Sequence, residues 1–102
     1  MTGCTREYLP TYFSWYGGSG KVNITCSKVS IKNGDTFATI TFNSPYYEYV
    51  TAGGNKIYGE HDEESSTFVV PVIMDEDCTI TGLTTAMSEP HEIEYVIHVS
   101  IL

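Results

Sequence analysis

Turn signals recur along this chain at intervals that leave room only for short strands. Asn33-Gly34 separates the segments KVSI and TFATITF, and Gly53-Gly54 separates NSPYYEYV from NKIYG. Both dipeptides are typical of two-residue β-hairpin turns, because their residues tolerate a positive φ. The flanking segments alternate between apolar and polar residues, and none has helical periodicity over the length that a helix needs. The chain is therefore predicted to be all-β.

This pattern gives about eight strands, with turn signals every eight to twelve residues or so, as in two-sheet sandwiches. A chain of 102 residues has the length of one domain. We predict an immunoglobulin-like, two-sheet antiparallel β-sandwich over residues 8–102, preceded by a tail over residues 1–7. The aromatic segment Tyr8–Tyr16 is expected to be the first strand, and Pro71 should place its strand at an edge or a bulge. One face of the last strand is expected to carry His91, Ile93, Tyr95, Ile97, Val99 and Ile101.

Acidic residues dominate the charge of the chain. Lys and Arg number 5, Asp and Glu number 13, and the net charge is −8. Nucleic acids and anionic membranes select clustered Lys and Arg, so neither is expected as a partner. The apolar runs are far shorter than the roughly 20 residues that cross a bilayer, so no transmembrane segment is expected.

The cysteines, Cys4, Cys26 and Cys78, leave two alternatives open. Cys26 and Cys78 lie in strand-like segments, at a separation close to that of the immunoglobulin inter-sheet pair, and either form a disulfide or remain small buried thiols. Trp15 precedes Cys26 instead of lying between the two cysteines, which argues against a true immunoglobulin domain. Cys4 ends the tripeptide TGC, as a lipoprotein cleavage site ends, so Cys4 is a candidate for lipid attachment.

Sequence signatures of enzymes are lacking. The chain has no GxSxG or HExxH motif and no phosphate-binding glycine loop, and no nucleophile comes with an evident base. The acidic segment Glu60–Glu64 could offer oxygen ligands to Ca²⁺, but it lacks the alternating spacing of an EF-hand loop, so a solvated loop is expected. We predict that the protein is not an enzyme.

Met87 and His91 flank Pro90 just before the last strand. A thioether and an imidazole form a haem axial pair in electron-transfer proteins, and they also suit copper, for which Met74 is a further candidate ligand. The alternative is plain packing, in which Met87 fills the end of the sandwich and His91 caps the last strand.

Three tyrosines, Tyr46, Tyr47 and Tyr49, cluster after Pro45. Phenolate can ligate ferric iron, and aromatic rings can stack on a porphyrin. The alternative for each tyrosine is a place in the core or in a cross-strand pair.

Five motifs together resemble a known family: GGSGKVNI, VSIKNGDTFATITFNSPYYEYV, GNKIYG, SSTFVVPV and TTAMSEPHEIEYVIHV. They are similar to a small domain in iron- and haem-uptake lipoproteins of Gram-positive gut bacteria. That domain often precedes a metal-transporter substrate-binding domain, and its layout is similar to that of near-iron-transporter (NEAT) domains. The resemblance covers about Phe13 to Ile101, and TTAMSEPHEIEY is its most specific part.

The resemblance implies an extracytoplasmic binding module at the bacterial cell surface, lipid-anchored in its full-length form. Haem or an iron complex is the implied ligand, and a substrate-binding domain or an ABC transporter of the same uptake system is the implied partner. NEAT haem sites use a Tyr-x-x-x-Tyr pair on the penultimate strand, under a short serine-containing helix. TITGLTT and IEYVIHV contain no such pair. The expected haem-binding residues are therefore Met87, His91, Tyr46, Tyr47 and Tyr49, with Met87 and His91 as metal ligands.

The alternative function is an immunoglobulin-like structural or protein-interaction domain on the bacterial cell surface. In that case the segment AMSEPHEI would be buried or would pack at the rim of the sandwich, with no ligand-shaped pocket beside it.

Overall fold

A computed structural model describes residues 6–18, 22–85 and 89–101 of the protein. Within these ranges every regular element is a β-strand. The strands are β1 (Arg6–Tyr8), β2 (Tyr12–Gly17), β3 (Ile24–Lys32), β4 (Asp35–Phe42), β5 (Tyr47–Ala52), β6 (Asn55–Tyr58), β7 (Glu60–His61), β8 (Ser66–Val72), β9 (Asp77–Thr84) and β10 (His91–Ser100).

The strands form two five-stranded antiparallel sheets that pack as a sandwich. The first sheet has the order β1-β3-β4-β8-β7, and the second has the order β2-β10-β9-β5-β6. Side chains from both inner faces form one apolar core, in which Phe42, Ile40, Phe68 and Val70 of the first sheet are completely buried. The predicted all-β, immunoglobulin-like sandwich is confirmed.

The strand count differs from the expected eight because two short strands were not foreseen. The segment Tyr8–Tyr16 is not one strand: Tyr8 pairs with β3 in the first sheet, whereas β2 pairs with β10 in the second. Pro10 lies at the break, where its missing N–H cannot join a ladder. The other short strand, β7, begins the acidic segment that was expected to be only a loop, and it pairs with the start of β8.

Both predicted hairpins form where the glycine dipeptides placed them. Asn33 and Gly34 have φ values of 52° and 83°, and Gly53 and Gly54 have φ values of 59° and 82°. Two consecutive positive φ values are the signature of a type I′ turn, whose twist matches that of the paired strands. The register of the β3–β4 and β5–β6 hairpins follows from these turns.

Pro71 lies on an open edge, as predicted. β8 pairs with β4 along its whole length, but the two-residue β7 reaches only as far as Thr67 on the other side. Among the described residues, the rest of β8 has no strand partner on that side. A proline there leaves the edge with one donor fewer for pairing with a foreign strand.

The two described cysteines are free thiols in different sheets. Cys26 lies in β3, where burial raises the pKa of its thiol and a hydrogen bond to the carbonyl of Lys28 partly offsets that rise. Cys78 lies in β9, where its sulfur accepts the N–H of Ile73 at 3.2 Å. Of the two alternatives, the structure therefore shows thiols. Cys4 lies outside the described residues.

No helix in the described part of the chain could span a membrane.

Gly82 offers a test of how tightly the inner faces fit. A methyl group there would lie 2.8 Å from Cε2 and 2.9 Å from Cδ2 of the Tyr47 ring. Gly82→Ala should therefore lower the free energy of unfolding by about 1–3 kcal/mol, measured by urea denaturation. The neighbouring Thr81→Ala, on the outer face, should cost less than about 1 kcal/mol. Equal effects of the two substitutions would show that Gly82 is not needed for close packing.

Candidate functional site

Three of the candidates, Tyr46, Tyr47 and His91, lie at one end of the sandwich, which we call the loop end. Here β4 and β9 end while β5 and β10 begin, and Thr85 lies beside Tyr46. The N–H of Thr85 donates to the carbonyl of Tyr46 at 2.8 Å, and the hydroxyl of Thr85 donates to the same oxygen at 3.3 Å. The loop before β5 is thus tied to the segment that leads toward Met87.

His91 is the first residue of β10 and is exposed. It pairs with Thr84 of β9, which in turn pairs with Tyr47 of β5. Residues directly opposite each other in antiparallel strands project from the same face, so the three residues form a row on the inner face of the second sheet. The predicted phase of the last strand is confirmed, because Tyr95 and Ile97 on the His91 face are buried.

The three candidate tyrosines do not form one cluster. The register between β5 and β9 shifts between Tyr47 and Tyr49, so that Glu48 lies at a bulge. Tyr47 consequently points into the core, whereas Tyr49 lies on the outer face beside Tyr58, with the two ring centroids 5.6 Å apart. Tyr46 precedes the strand and is exposed. Of the three, only Tyr46 combines an exposed side chain with a position at the loop end.

Tyr47 is occupied by packing and hydrogen bonding within the domain. Its ring stacks on that of Phe42 at a centroid distance of 4.3 Å, and its hydroxyl lies 2.6 Å from the hydroxyl of Tyr95. Burial, reinforced by the hydrogen bond with Tyr95, raises the pKa of the Tyr47 phenol far above its usual range. A neutral, buried, hydrogen-bonded phenol cannot serve as an iron ligand without first unpacking the core.

Tyr95 is a residue of this end that the sequence pattern assigned only to the core. It follows His91 by four residues on the same face of β10, and Ile93 lies between them, partly buried. The signal that could have identified it is the spacing His-x-x-x-Tyr, since side chains two and four residues along a strand share one face.

The end of β2 and the residue after it lie against Tyr95. Gly17 pairs with Tyr95 at the end of β2, and Gly18 follows with a φ of 66°. A Cβ atom at Gly18 would lie 2.9 Å from Cε1 and 3.1 Å from the hydroxyl oxygen of Tyr95. The described part of β2 pairs with β10 only from Tyr95 onward. Residues His91 to Glu94 of β10 have no partner in β2.

The two methionines that were predicted as metal ligands do not join His91 in the described structure. Met87 lies outside the described residues. Met74 lies in the turn between β8 and β9, at the opposite end of the sandwich, and packs against the core. It therefore cannot join His91 in a copper site. Within the described residues, no group of three or more His, Cys, Asp or Glu side chains could hold a metal ion.

Comparisons with protein-family models, with curated proteins and with solved structures find no match. No residue role comes to this chain from a relative. Each candidate is therefore judged by its own exposure and partners, and His91 and Tyr46 are the described candidates whose side chains are exposed at the loop end.

The Tyr47–Tyr95 pair makes the core sensitive to loss of a single hydroxyl. Tyr47→Phe would leave the buried Tyr95 hydroxyl without its partner, at a cost of about 1–3 kcal/mol in the free energy of unfolding. The double variant Tyr47→Phe/Tyr95→Phe should cost less than the sum of the two single substitutions. Urea denaturation measures all three, with the exposed Tyr58→Phe as control. Strict additivity would mean that the two hydroxyls are not coupled.

Alkaline pH should destabilise the domain through Tyr47. Because the pKa of this phenol is raised in the folded state, the folded protein binds more protons than the unfolded chain once the pH exceeds the usual tyrosine pKa of about 10. The stabilisation is therefore complete below that pH and is lost as the pH rises. Urea denaturation at several pH values should show a steeper loss of stability in the wild type than in Tyr47→Phe. Equal slopes would contradict this assignment.

Proposed function

We propose that the protein is a non-enzymatic, extracytoplasmic binding module that captures haem or an iron complex at its loop end. The observation that carries this proposal is the exposed imidazole of His91 at the start of β10, at the same end of the sandwich as the exposed Tyr46. Imidazole is the commonest protein ligand of haem iron. The proposal places the module at the bacterial cell surface, where a substrate-binding domain or an ABC transporter of the same uptake system would receive its ligand.

The spacing of His91 and Tyr95 supports the proposal. Because they are four residues apart on one strand, both side chains lie on the same face of β10. The first residue is exposed at the strand end, and the second is buried below it, where the Tyr47 hydroxyl and the packing of Gly18 fix its phenol. Binding sites need ligand side chains that neighbouring packed and hydrogen-bonded residues hold in place, and Tyr95 and Tyr47 are such neighbours for His91.

The structure leads us to propose a different role for each of the expected haem-binding residues. His91 is proposed as the axial ligand, with Met87 or the Tyr46 phenol as the second group. Tyr47 is proposed to support the site from within the core. Tyr49 is on the outer face, so it is no longer proposed to contact haem.

Hemin titration tests the proposal directly. The wild-type protein should shift and sharpen the Soret band, and His91→Ala should weaken hemin binding by more than about tenfold, because even outer-shell changes alter metal affinity about 10- to 100-fold. Met87→Ala and Tyr46→Phe identify the second ligand by their effect on the position of the band.

His98→Ala is the matched control for this experiment. His98 is seven residues from His91 on β10, a distance of about 23 Å along a strand, and it faces outward toward Asp77. Hemin binding should be unchanged in this variant. Absence of a shifted Soret band in the wild type, or equal losses in His91→Ala and His98→Ala, would remove the haem proposal.

The second candidate function is a protein-interaction domain, and one surface favours it. On the outer face of the second sheet, Leu83, Tyr49 and Tyr58 lie in one row across β9, β5 and β6. The Tyr58 side chain is 67% exposed, and the ammonium of Lys56 lies 4.8 Å from the centroid of the Tyr49 ring. Exposed tyrosines are enriched at protein interfaces, so this row is where such a partner would bind.

A further inference from the structure

A polar pocket of about 360 Å³ lies on the outer face of the first sheet, at the loop end. Its floor consists of side chains from neighbouring strands in two rows. One row is Thr25 and Thr41, which pair across β3 and β4. The other is Asn23, Asn43 and Ser65, one step beyond the strand ends.

The Asn23–Asn43 contact fixes the floor of the pocket. The N–H of Asn43 donates to the carbonyl of Asn23 at 3.1 Å, and the N–H of Asn23 donates to Oδ1 of Asn43 at 2.7 Å. The carbonyl oxygen of the Asn43 amide is therefore engaged, and its NH₂ group remains as a donor.

The wall of the pocket is the loop 62–65, which is rigidly built. Oδ1 of Asp62 accepts the N–H of Glu64 at 2.8 Å and the N–H of Ser65 at 2.7 Å, and the N–H of Asp62 donates to the carbonyl of Ser65 at 3.0 Å. These bonds, first the one from the Glu64 N–H, hold the pKa of the Asp62 carboxyl below its usual range. The next residue, Ser66, is buried and donates its hydroxyl to the carbonyl of Ser44 at 2.6 Å. Hydrogen bonds within the protein therefore hold the wall against the sandwich.

Several polar groups at the pocket have no partner among the described residues. They are the side-chain amide of Asn23, the hydroxyl of Thr25 and the carboxylate of Glu64, together with the NH₂ group of Asn43. The set combines donors and acceptors within one concavity, at the small end of the volume range of ligand pockets.

The composition of the lining excludes several ligand classes. No Lys or Arg lines the pocket, and two carboxylates do, which disfavours phosphate, sulfate and other anions. No aromatic or aliphatic side chain lines it either, which disfavours flat apolar ligands and lipids. Ca²⁺ takes about six to eight oxygen ligands, whereas the oxygens of Asp62 are already engaged within its loop.

We propose that this pocket binds a neutral, hydroxyl-rich ligand, a single sugar residue, either free or at the end of a glycan chain. Sugar hydroxyls both donate and accept, so one ring can match the amides of Asn23 and Asn43, the Thr25 hydroxyl and the Glu64 carboxylate together. Hydrogen bonds to a charged acceptor are the stronger ones, which makes Glu64 the group that contributes most to affinity. The pocket is on a different sheet and face from His91, so the proposal does not rest on haem binding.

Backbone amide NMR spectra of the ¹⁵N-labelled protein, titrated with glucose, galactose, mannose and N-acetylglucosamine, test the proposal. At least one sugar should shift amide signals within residues 23–25, 41–43 and 62–65, with a millimolar dissociation constant. Repeating the titration with an oligosaccharide that ends in the effective sugar separates the two sources. Tighter binding of the oligosaccharide indicates a glycan end, and equal binding indicates the free sugar.

Two variants localise the effect. Glu64→Gln should weaken sugar binding by roughly tenfold or more. Glu63→Gln removes the same charge from the same loop but does not line this pocket, and it should bind sugar like the wild type. Both substitutions are on exposed side chains, so thermal unfolding should confirm that both variants remain folded.

Three results would overturn the proposal. The first is that none of the four sugars shifts the signals. The second is that both variants weaken binding equally. The third is that propylamine or CaCl₂, titrated in parallel, shifts the same signals while the sugars do not, which would make the pocket a site for cations.

Discussion

The stacked rings of Phe42 and Tyr47 join the two sheets at the loop end. Phe42 ends β4 in the first sheet and Tyr47 begins β5 in the second, so the chain changes sheets between two rings in contact. This contact fixes where β5 enters the second sheet, and with it the carbonyl of Tyr46 that accepts both hydrogen bonds of Thr85. The position of Thr85 therefore depends on a packing interaction inside the core.

The aromatic cluster of Phe42, Tyr47 and Tyr95 also explains why two positions beside it are glycines. The Tyr47 ring lies against Gly82, and the Tyr95 ring lies against Gly18, at distances that leave no room for a Cβ atom at either glycine. Because one phenol donates to the other, each of the two buried hydroxyls has a hydrogen-bond partner. The inner face below His91 is thus closely packed, with a partner for every buried side-chain N and O atom of the described residues, whereas His91 itself, at the strand end, is exposed.

Much of this fold could be predicted from the sequence, because glycine turns and two-residue periodicity act locally. Asn33-Gly34 and Gly53-Gly54 set the hairpins, and alternation placed Tyr95, Ile97 and Val99 in the core. The bulge at Glu48 could not be predicted in this way. It adds one residue to β5 with no glycine to mark it, and so it separates Tyr47 from Tyr49 onto opposite faces.

The exposure of His91 could not be predicted from the two-residue periodicity either. Alternation assigned His91 to the same inner face as Tyr95, and that is correct. Burial at a strand end depends on whether neighbouring elements extend as far. In the described part of the chain, β2 pairs with β10 only as far as Tyr95, which is buried, whereas His91, four residues beyond this pairing, is exposed. The candidate ligand is set by the difference in length between two adjacent strands, which no local pattern encodes.

Charge distinguishes the two proposed ligands. A neutral sugar would gain from the acidic wall of the polar pocket, since Glu64 would accept hydrogen bonds from its hydroxyls without opposing any charge. Haem carries two propionates, and the protein has a net charge of −8, so long-range electrostatics oppose its approach. Glu89 and Glu92 are exposed close to His91 and add to that repulsion. Haem affinity would therefore have to come from ligation by His91 and from apolar contacts, against this repulsion.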